Sequence, residues 1–132
     1  MMNEGVTVLI VDDNEENRDI LSRRLKADGF DTITAVDGQE AMDILNEKII
    51  HIVLLDIMMP EVDGFTLLSQ IRANSTFEDM PVIMLTAIDI VTVAQECLRL
   101  GACGYVTKPY DMDMIKQKIR ECLKMKPQLV KD

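Results

Sequence analysis

Short apolar runs alternate along this chain with longer segments in which apolar and polar residues recur at helical spacing. The runs are rich in Val, Ile and Leu, which is typical of strands buried in a sheet, whereas the longer segments are typical of helices with one apolar face. The predicted strands are residues 6–11, 32–36, 52–55, 81–85 and 105–106, and the predicted helices are residues 17–27, 39–46, 65–73, 89–100 and 111–124. Five strands that alternate with five helices predict an α/β fold with a parallel sheet and helices on both faces.

The expected strand order places polar residues at one edge of this sheet. A doubly wound, flavodoxin-like sheet has the order 2-1-3-4-5 and binds ligands at the carboxyl ends of its strands, near the switch point between strands one and three. Strand one is followed by Asp12 and Asp13, strand three by Asp56, strand four by Thr86 and strand five by Lys108. The order therefore predicts that these side chains converge.

Three carboxylates that converge repel one another unless a cation lies between them. Mg²⁺ is the expected occupant, because it prefers oxygen ligands and is usually held by one or two carboxylates together with a phosphate. Asp56 is then the expected nucleophile, since carboxylates form covalent aspartyl phosphates. The Lys108 ammonium, the Thr86 hydroxyl and a backbone N–H at Ala87 would bind the phosphoryl oxygens.

Each of these residues also has a simpler structural interpretation. Asp12 and Asp13 can cap a helix, as can Thr86, and Lys108 can be an ordinary surface lysine. The site interpretation is favoured because all of them stand at strand ends that the expected order brings together. His51, the only histidine, has no such partners, and a structural or exposed role is expected for it.

The amino-acid composition argues against a nucleic-acid-binding, membrane-spanning or secreted protein. A net charge of −9 over 132 residues argues against a surface that binds nucleic acid or an anionic membrane directly. No apolar run approaches the ~20 residues needed to span a bilayer, and no secretory signal is expected at the N-terminus. Cys97, Cys103 and Cys122 are odd in number and lack metal-site spacing, which is typical of reduced thiols in a cytoplasmic protein.

The strand-end residues lie in motifs that resemble those of the bacterial two-component response-regulator receiver domain, of the chemotaxis-regulator kind. The resemblance covers about residues 5–124. The motifs are V-L-I-V-D-D-N at 8–14, L-L-D-I-M-M-P-E-V-D-G at 54–64, L-T-A at 85–87 and G-A-C-G-Y-V-T-K-P at 101–109.

The resemblance implies a phosphoacceptor and a metal site. Asp56 would accept a phosphoryl group from the phosphohistidine of a sensor histidine kinase or phosphotransfer protein, or from a small phosphodonor. Mg²⁺ (or Mn²⁺) would be bound directly by Asp13, Asp56 and the main-chain carbonyl of Met58, and Asp12 would act through water.

Residues next to the acceptor carry three further expectations. Lys108 would pair with the phosphoryl oxygens, and the bond between Lys108 and Pro109 is expected to be cis, an isomer that is accessible before proline. Met58 and Ile88 would flank the phosphoryl group with apolar side chains that cannot orient an attacking water. We therefore expect slow loss of the aspartyl phosphate when no phosphatase is present.

The resemblance also implies a conformational switch. Thr86 would move to bind the phosphoryl group, and the Tyr105 ring would turn inward into the vacated space. The surface that changes would be formed by helix four, strand five and helix five. This face would contact a downstream effector or, after phosphorylation, a second copy of the chain, and the apolar residues around helix four are consistent with such a face.

Other functions stay open on the sequence alone. An aspartyl-nucleophile phosphatase needs a second acid two residues after the nucleophile, where this chain has Met58. An FMN-binding module needs a phosphate loop rich in glycine and hydroxyls where Asp12 and Asp13 stand, and a receiver that is never phosphorylated would lack a key residue. We expect a receiver domain over 1–126, not an independent enzyme, followed by a tail or linker start over 127–132. It would stand alone or be part of a longer regulator or hybrid kinase.

Overall fold

A computed structural model describes residues 5–57, 64–86 and 91–124 of the chain. Within these ranges five parallel strands form one sheet in the order β2-β1-β3-β4-β5. The strands are β1 (Thr7–Val11), β2 (Asp31–Ala35), β3 (Ile52–Asp56), β4 (Val82–Thr86) and β5 (Gly104–Thr107). The helices are α1 (Glu15–Ala27), α2 (Gly38–Glu47), α3 (Gly64–Ala73), α4 (Val91–Arg99) and α5 (Met112–Lys124), and a single 3₁₀ turn, Ser75–Phe77, follows α3. The predicted fold class and strand order are confirmed.

The observed elements begin and end within two residues of the predicted ones, and side-chain caps account for the earlier helix starts. The Asn14 side chain accepts a hydrogen bond from the backbone N–H of Asn17, so that α1 already begins at Glu15. Asp37 caps α2 in the same way. These are residue types whose short polar side chains bind the free N–H groups of a first helical turn. The cap predicted at Asp89 lies outside the described residues.

The hydrophobic core has two layers, one on each face of the sheet. Helices α2, α3 and α4 cover one face and contribute residues such as Leu45, Leu68 and Cys97, while α1 and α5 cover the other with residues such as Leu25 and Ile119. The central strands β3 and β4 are buried along their whole length because both of their faces are covered. Within the described ranges, no helix is both long and apolar enough to cross a membrane.

His51 has a structural role at the end of the sheet opposite the strand-end acids. Its Nδ1 accepts a hydrogen bond of 3.0 Å from the backbone N–H of Thr7, and its own backbone N–H donates to the Thr7 carbonyl at 2.9 Å. The half-buried imidazole therefore satisfies the first amide of β1 where the strand ladder begins. The structural interpretation of this histidine is confirmed.

The expectation of three reduced thiols is wrong for two of the cysteines. Cys103 and Cys122 form a disulfide with their Cα atoms 5.9 Å apart, whereas Cys97 is free and buried in α4. The two bonded residues are 19 positions apart in sequence. They meet because Cys103 immediately precedes β5 and Cys122 lies in the last turns of α5, which packs along that strand. Spacing alone cannot reveal such a pairing, because it depends on the docking of the helix.

Arg72 joins α3 to the turn that follows α4. Its Nε and Nη2 donate to the carbonyl oxygen of Gly101 at 3.0 and 2.8 Å, and its Nη1 donates to the carbonyl of Phe77 at 3.2 Å. Burial lowers the pKa of this guanidinium, and the charge of Asp79 acts in the opposite direction. The half-buried guanidinium thus hydrogen-bonds carbonyl groups at the end of α4 and at the end of the 3₁₀ turn. Water would otherwise have to bind these carbonyls.

We expect Gly101→Ala to destabilise the folded protein more than Gly5→Ala does. Both glycines have positive φ, +101° and +82°, but a Cβ at Gly101 would lie 2.7 Å from Arg72 Nε, whereas Gly5 has no such neighbour within 4 Å. Gly5→Ala should lower the free energy of unfolding by about 1–2 kcal/mol through backbone strain alone, and Gly101→Ala by about 2–4 kcal/mol because the guanidinium must also leave its carbonyl. Urea unfolding measures both, and equal losses would show that the Arg72 contact contributes nothing.

Candidate functional site

The carboxyl ends of β1, β3, β4 and β5 bring the sequence-predicted residues together. Asp56 is the last residue of β3 and Thr86 is the last residue of β4, while Asp12 and Lys108 directly follow β1 and β5. Backbone hydrogen bonds hold these ends in register: Ile57 N–H donates to the Leu85 carbonyl at 2.9 Å, and Lys108 N–H donates to the Thr86 carbonyl at 2.7 Å. The groups therefore stand in register along one edge of the sheet.

The three aspartates form a compact acidic cluster. One carboxylate oxygen from each of Asp12, Asp13 and Asp56 lies within 4.8 Å of the others. Asp12 and Asp56 are buried, with residue exposures of 0% and 3%, while Asp13 is exposed. Two acids thus stand inside the protein and the third faces solvent, which leaves the cluster open on one side.

Lys108 provides the positive charge next to this cluster. Its Nζ lies 3.3 Å from Asp56 Oδ2, and the side chain of the lysine is about a quarter exposed. A partly buried ion pair of this kind holds both groups in a defined position, because each would otherwise be a poorly solvated charge. Pro109 follows in a cis peptide bond, as predicted.

Asp12 is held by the backbone around it. Its Oδ1 accepts a hydrogen bond of 2.9 Å from the Asn14 N–H, and its carbonyl accepts one of 2.8 Å from Nη1 of Arg18 in α1. Its Oδ2 is buried and has no hydrogen-bond partner among the described residues. Burial, followed by the negative charge of Asp56, raises the pKa of Asp12 to about 6, although the Asn14 N–H and the Lys108 charge act to lower it. The site is therefore short of positive charge.

This raised pKa predicts a pH dependence of stability. Between pH 3.8 and about 6 the folded protein keeps the Asp12 proton that the unfolded chain has lost, so this contribution to stability is present at low pH and is lost as the pH rises through that window. Wild type should lose stability as the pH rises, whereas Asp12→Asn has no carboxyl to ionise. Without divalent cations, the unfolding free energy of Asp12→Asn minus that of wild type should therefore increase by roughly 2–3 kcal/mol from pH 4 to pH 7. Denaturant titrations in EDTA measure the difference, and parallel pH curves for the two proteins would contradict it.

Gly64 fixes the backbone under the acceptor. A Cβ at this position would lie 2.6 Å from the carbonyl oxygen of Asp56 and 2.7 Å from Cα of Ile57. Its N–H also donates to the Ile57 carbonyl at 2.8 Å. The first residue of α3 can approach the end of β3 this closely only because it has no side chain.

Tyr110 belongs to the site, although no sequence motif indicated it. Its ring centroid lies 6.0 Å from Lys108 Nζ, at the outer limit of a cation–π contact. Burial, followed by the charges of Asp56 and Asp12, raises the pKa of its phenol. The hydroxyl is buried with no hydrogen-bond partner among the described residues. The available signal was an aromatic residue two positions after the lysine, but only the fold shows that its ring lies 6.0 Å from the ammonium.

Other predicted site residues are placed in part. Thr86 is fully buried. Tyr105 is half-buried and packs against the core, and it pairs with Met84, two residues before Thr86 on β4. Met58, Ala87 and Ile88 lie outside the described residues. The main-chain carbonyl, the backbone N–H and the apolar flank predicted at those three positions stay predictions.

The acidic cluster has the chemistry of a site for a divalent cation. Its donors are hard carboxylate oxygens, which magnesium-like ions prefer. Asp12 Oδ2 has no hydrogen-bond partner in the part of the chain that the structure describes, and the pKa of this acid is raised. Both observations indicate a deficit of positive charge that a cation would relieve. We conclude that Asp12, Asp13 and Asp56 can hold a metal ion.

The comparison with protein families agrees with this geometry. Residues 8–120 match the family model described as the response regulator receiver domain. The chain belongs to the response regulator receiver domain family. It is thus the receiver domain of a response regulator in a two-component system, and this match supports neither the FMN-binding nor the phosphatase alternative.

Relatives and solved structures show the same likeness. The chain is 42% identical over 117 residues to the probable transcriptional regulator ycf27 of Guillardia theta, covering 89% of this chain and 45% of that protein. It is 38% identical over 118 residues to the regulatory protein AtoC of Escherichia coli K12, covering 89% and 25%. The chain therefore spans about half or less of the length of these curated relatives.

Two solved receiver-like structures superpose over nearly the whole fold. The receiver domain of the Francisella response regulator 1452 has a TM-score of 0.84 at 31% identity, with 91% of this chain and 98% of that chain covered. The Vibrio cholerae chemotaxis protein CheY4 has a TM-score of 0.84 at 28% identity, with 89% and 98% covered.

Proposed function

We propose that this receiver domain accepts a phosphoryl group on Asp56 from the phosphohistidine of a sensor histidine kinase or phosphotransfer protein. The observation that carries the proposal is the 3.3 Å contact between Lys108 Nζ and the buried carboxylate of Asp56, next to the oxygens of Asp12 and Asp13. A nucleophilic carboxylate flanked by a fixed cation and by further acids is suited to phosphoryl transfer, in which positioning and charge stabilisation supply most of the catalysis.

The transfer is a direct displacement at phosphorus. An Asp56 oxygen forms the new P–O bond while the P–N bond of the phosphohistidine breaks, and the leaving imidazole takes up a proton. Lys108 already lies within reach of the acceptor oxygen, so its ammonium needs little movement to bind a phosphoryl oxygen. Thr86, at the end of the neighbouring strand, and the Ala87 N–H would supply neutral donors.

The acidic cluster would bind Mg²⁺ (or Mn²⁺) during this reaction. Asp13, Asp56 and the Met58 carbonyl would bind it directly, and Asp12 would act through a water molecule. When bound, the ion supplies positive charge to the phosphoryl oxygens. The protein would not be an enzyme acting on other molecules, because the group it takes remains on its own side chain until hydrolysis.

The output would pass through the face formed by α4, β5 and α5. In our proposal Thr86 moves toward the phosphoryl group and the Tyr105 ring turns inward, and the phosphoryl group selects this arrangement by binding it more tightly. Leu98 on α4 and Met114 on α5 are about half exposed, at 52% and 50%, and would form apolar contacts with an effector or a second copy.

An intact-mass assay tests the proposal. Incubation of the chain with acetyl phosphate and MgCl₂ should add one phosphoryl group, and EDTA should prevent the addition. The adduct should be removed by hydroxylamine, which cleaves acyl phosphates, and its decay should be slow. No mass gain with either donor, acetyl phosphate or a phosphorylated phosphotransfer domain, would contradict the proposed function. Size-exclusion elution of the same samples tests whether phosphorylation drives dimerisation.

A further inference from the structure

The Cys103–Cys122 disulfide closes the chain around the segment that carries Lys108. Cys103 is half-buried at the start of this segment, where its backbone N–H donates to the Val82 carbonyl at 2.8 Å. Cys122 is 2% exposed at the far end, in α5. Their Cα separation of 5.9 Å is in the usual range for a disulfide. The closed loop contains β5, the lysine and most of α5.

The two cysteines differ in their exposure to solvent. Exchange begins when a thiolate attacks an accessible sulfur of a disulfide. Cys103 is partly exposed, whereas Cys122 is buried in the cluster between α5 and the sheet. Attack should therefore fall on Cys103, and the released Cys122 sulfur should stay beside it because the core holds its helix.

The disulfide restrains a segment whose strand, β5, pairs on one side only in the described sheet. β5 is an edge strand and pairs only with β4 in the described sheet. The position of Lys108 therefore depends on this one ladder, on the packing of α4 and α5 against β5 and on the disulfide. Because Lys108 Nζ must stay about where it is to meet Asp56, at 3.3 Å, added freedom of β5 should weaken that contact.

We propose that Cys103 and Cys122 are a redox-active pair that exchanges with low-molecular-weight thiols and disulfides, and that the disulfide speeds phosphoryl acceptance by bracing the Lys108 segment. The second half of this inference rests on the proposed function.

The exchange with glutathione balances in two steps. A glutathione thiolate attacks Cys103 Sγ, the protein S–S bond breaks, and Cys122 leaves as a thiolate that takes up a proton. A second glutathione thiolate attacks the glutathione sulfur of the mixed disulfide, which forms glutathione disulfide and releases Cys103 as a thiolate. Two electrons from two glutathione molecules thus reduce one protein disulfide.

The test equilibrates the full chain with mixtures of glutathione and glutathione disulfide. Alkylation after denaturation should label one cysteine in the oxidised protein and all three in the reduced protein. Reduction should lower the melting temperature by about 10 °C, as expected for opening a loop of this size. The initial rate of phosphoryl uptake from acetyl phosphate should fall roughly threefold to tenfold.

Single-cysteine variants provide matched controls. Cys103→Ser and Cys122→Ala cannot form the disulfide, so each should show the melting temperature and the uptake rate of the reduced wild type at every glutathione ratio, whereas Cys97→Ala, outside the pair, should keep the full redox response. Three alkylated cysteines at every ratio, or equal melting temperatures and uptake rates in the two redox states, would overturn the inference. Absence of phosphoryl uptake in both states would instead contradict the proposed function. The thiol counts and melting temperatures would still show whether Cys103 and Cys122 are a redox-active pair.

Discussion

The Asp56→Asn variant is expected to take up no phosphoryl group from acetyl phosphate in the presence of Mg²⁺. The substitution keeps the size of the side chain and its place at the end of β3 but replaces a nucleophilic carboxylate by an amide. It also removes the partner of the Lys108 ammonium, which lies 3.3 Å from Asp56 Oδ2 in the wild type. Intact mass spectrometry measures the loss directly.

Asp31→Asn is the matched control for this variant. Asp31 is exposed at the first residue of β2, at the opposite end of the strands from the site, and the substitution changes the net charge by the same amount. It should be phosphorylated at the wild-type rate. A phosphorylated Asp56→Asn protein would place the acceptor on another residue and would contradict the assignment.

The Asp13→Ala variant is expected to melt at a higher temperature than the wild type in EDTA and to lose the response to Mg²⁺. The exposed carboxylate of Asp13 lies within 4.8 Å of two buried ones. Removing it relieves a repulsion of about 1 kcal/mol, which corresponds to a rise of about 3–5 °C for a domain of this size. Stability given up to like charges is a common property of functional sites.

The loss of the Mg²⁺ response should be the larger of the two effects. Saturating Mg²⁺ at 100 times its dissociation constant should stabilise the wild type by about 2.7 kcal/mol, because it binds only the folded protein. Asp13→Ala should show almost none of this stabilisation, and Asp31→Ala should show all of it. Differential scanning calorimetry with and without Mg²⁺ measures both the melting temperature of the metal-free protein and its increase on Mg²⁺ binding. A variant that melts at a lower temperature and still responds to Mg²⁺ would show that Asp13 is not a ligand.

The architecture could be predicted closely because it follows from local patterns. The apolar runs of β3 and β4 indicate burial on both faces, and the connections between parallel strands have a fixed hand. Cap residues such as Asn14 then set the helix starts, although the periodicity alone placed α1 two residues too late. The same reasoning brought Asp12, Asp56, Thr86 and Lys108 to one edge, since each directly ends or follows a strand.

Features that depend on docking could not be predicted in this way. The Arg72 guanidinium reaches Gly101 across 29 positions of sequence, and the Cys103–Cys122 disulfide forms only because α5 packs along β5. Tyr110 could not be identified for the same reason, because its approach to the Lys108 ammonium depends on the path of the chain after β5. No local pattern encodes these approaches.

Residue order along the chain was thus enough to establish the sheet, its strand order and the set of acids at its edge, since these depend on burial, chirality and strand ends. The electrostatic character of the site required the folded molecule. Burial of Asp12, followed by the negative charge of Asp56 beside it, raises the pKa of that acid to about 6. The cost of ionising a carboxyl depends on the solvent and charges around it, and those are set only when distant strands pack together.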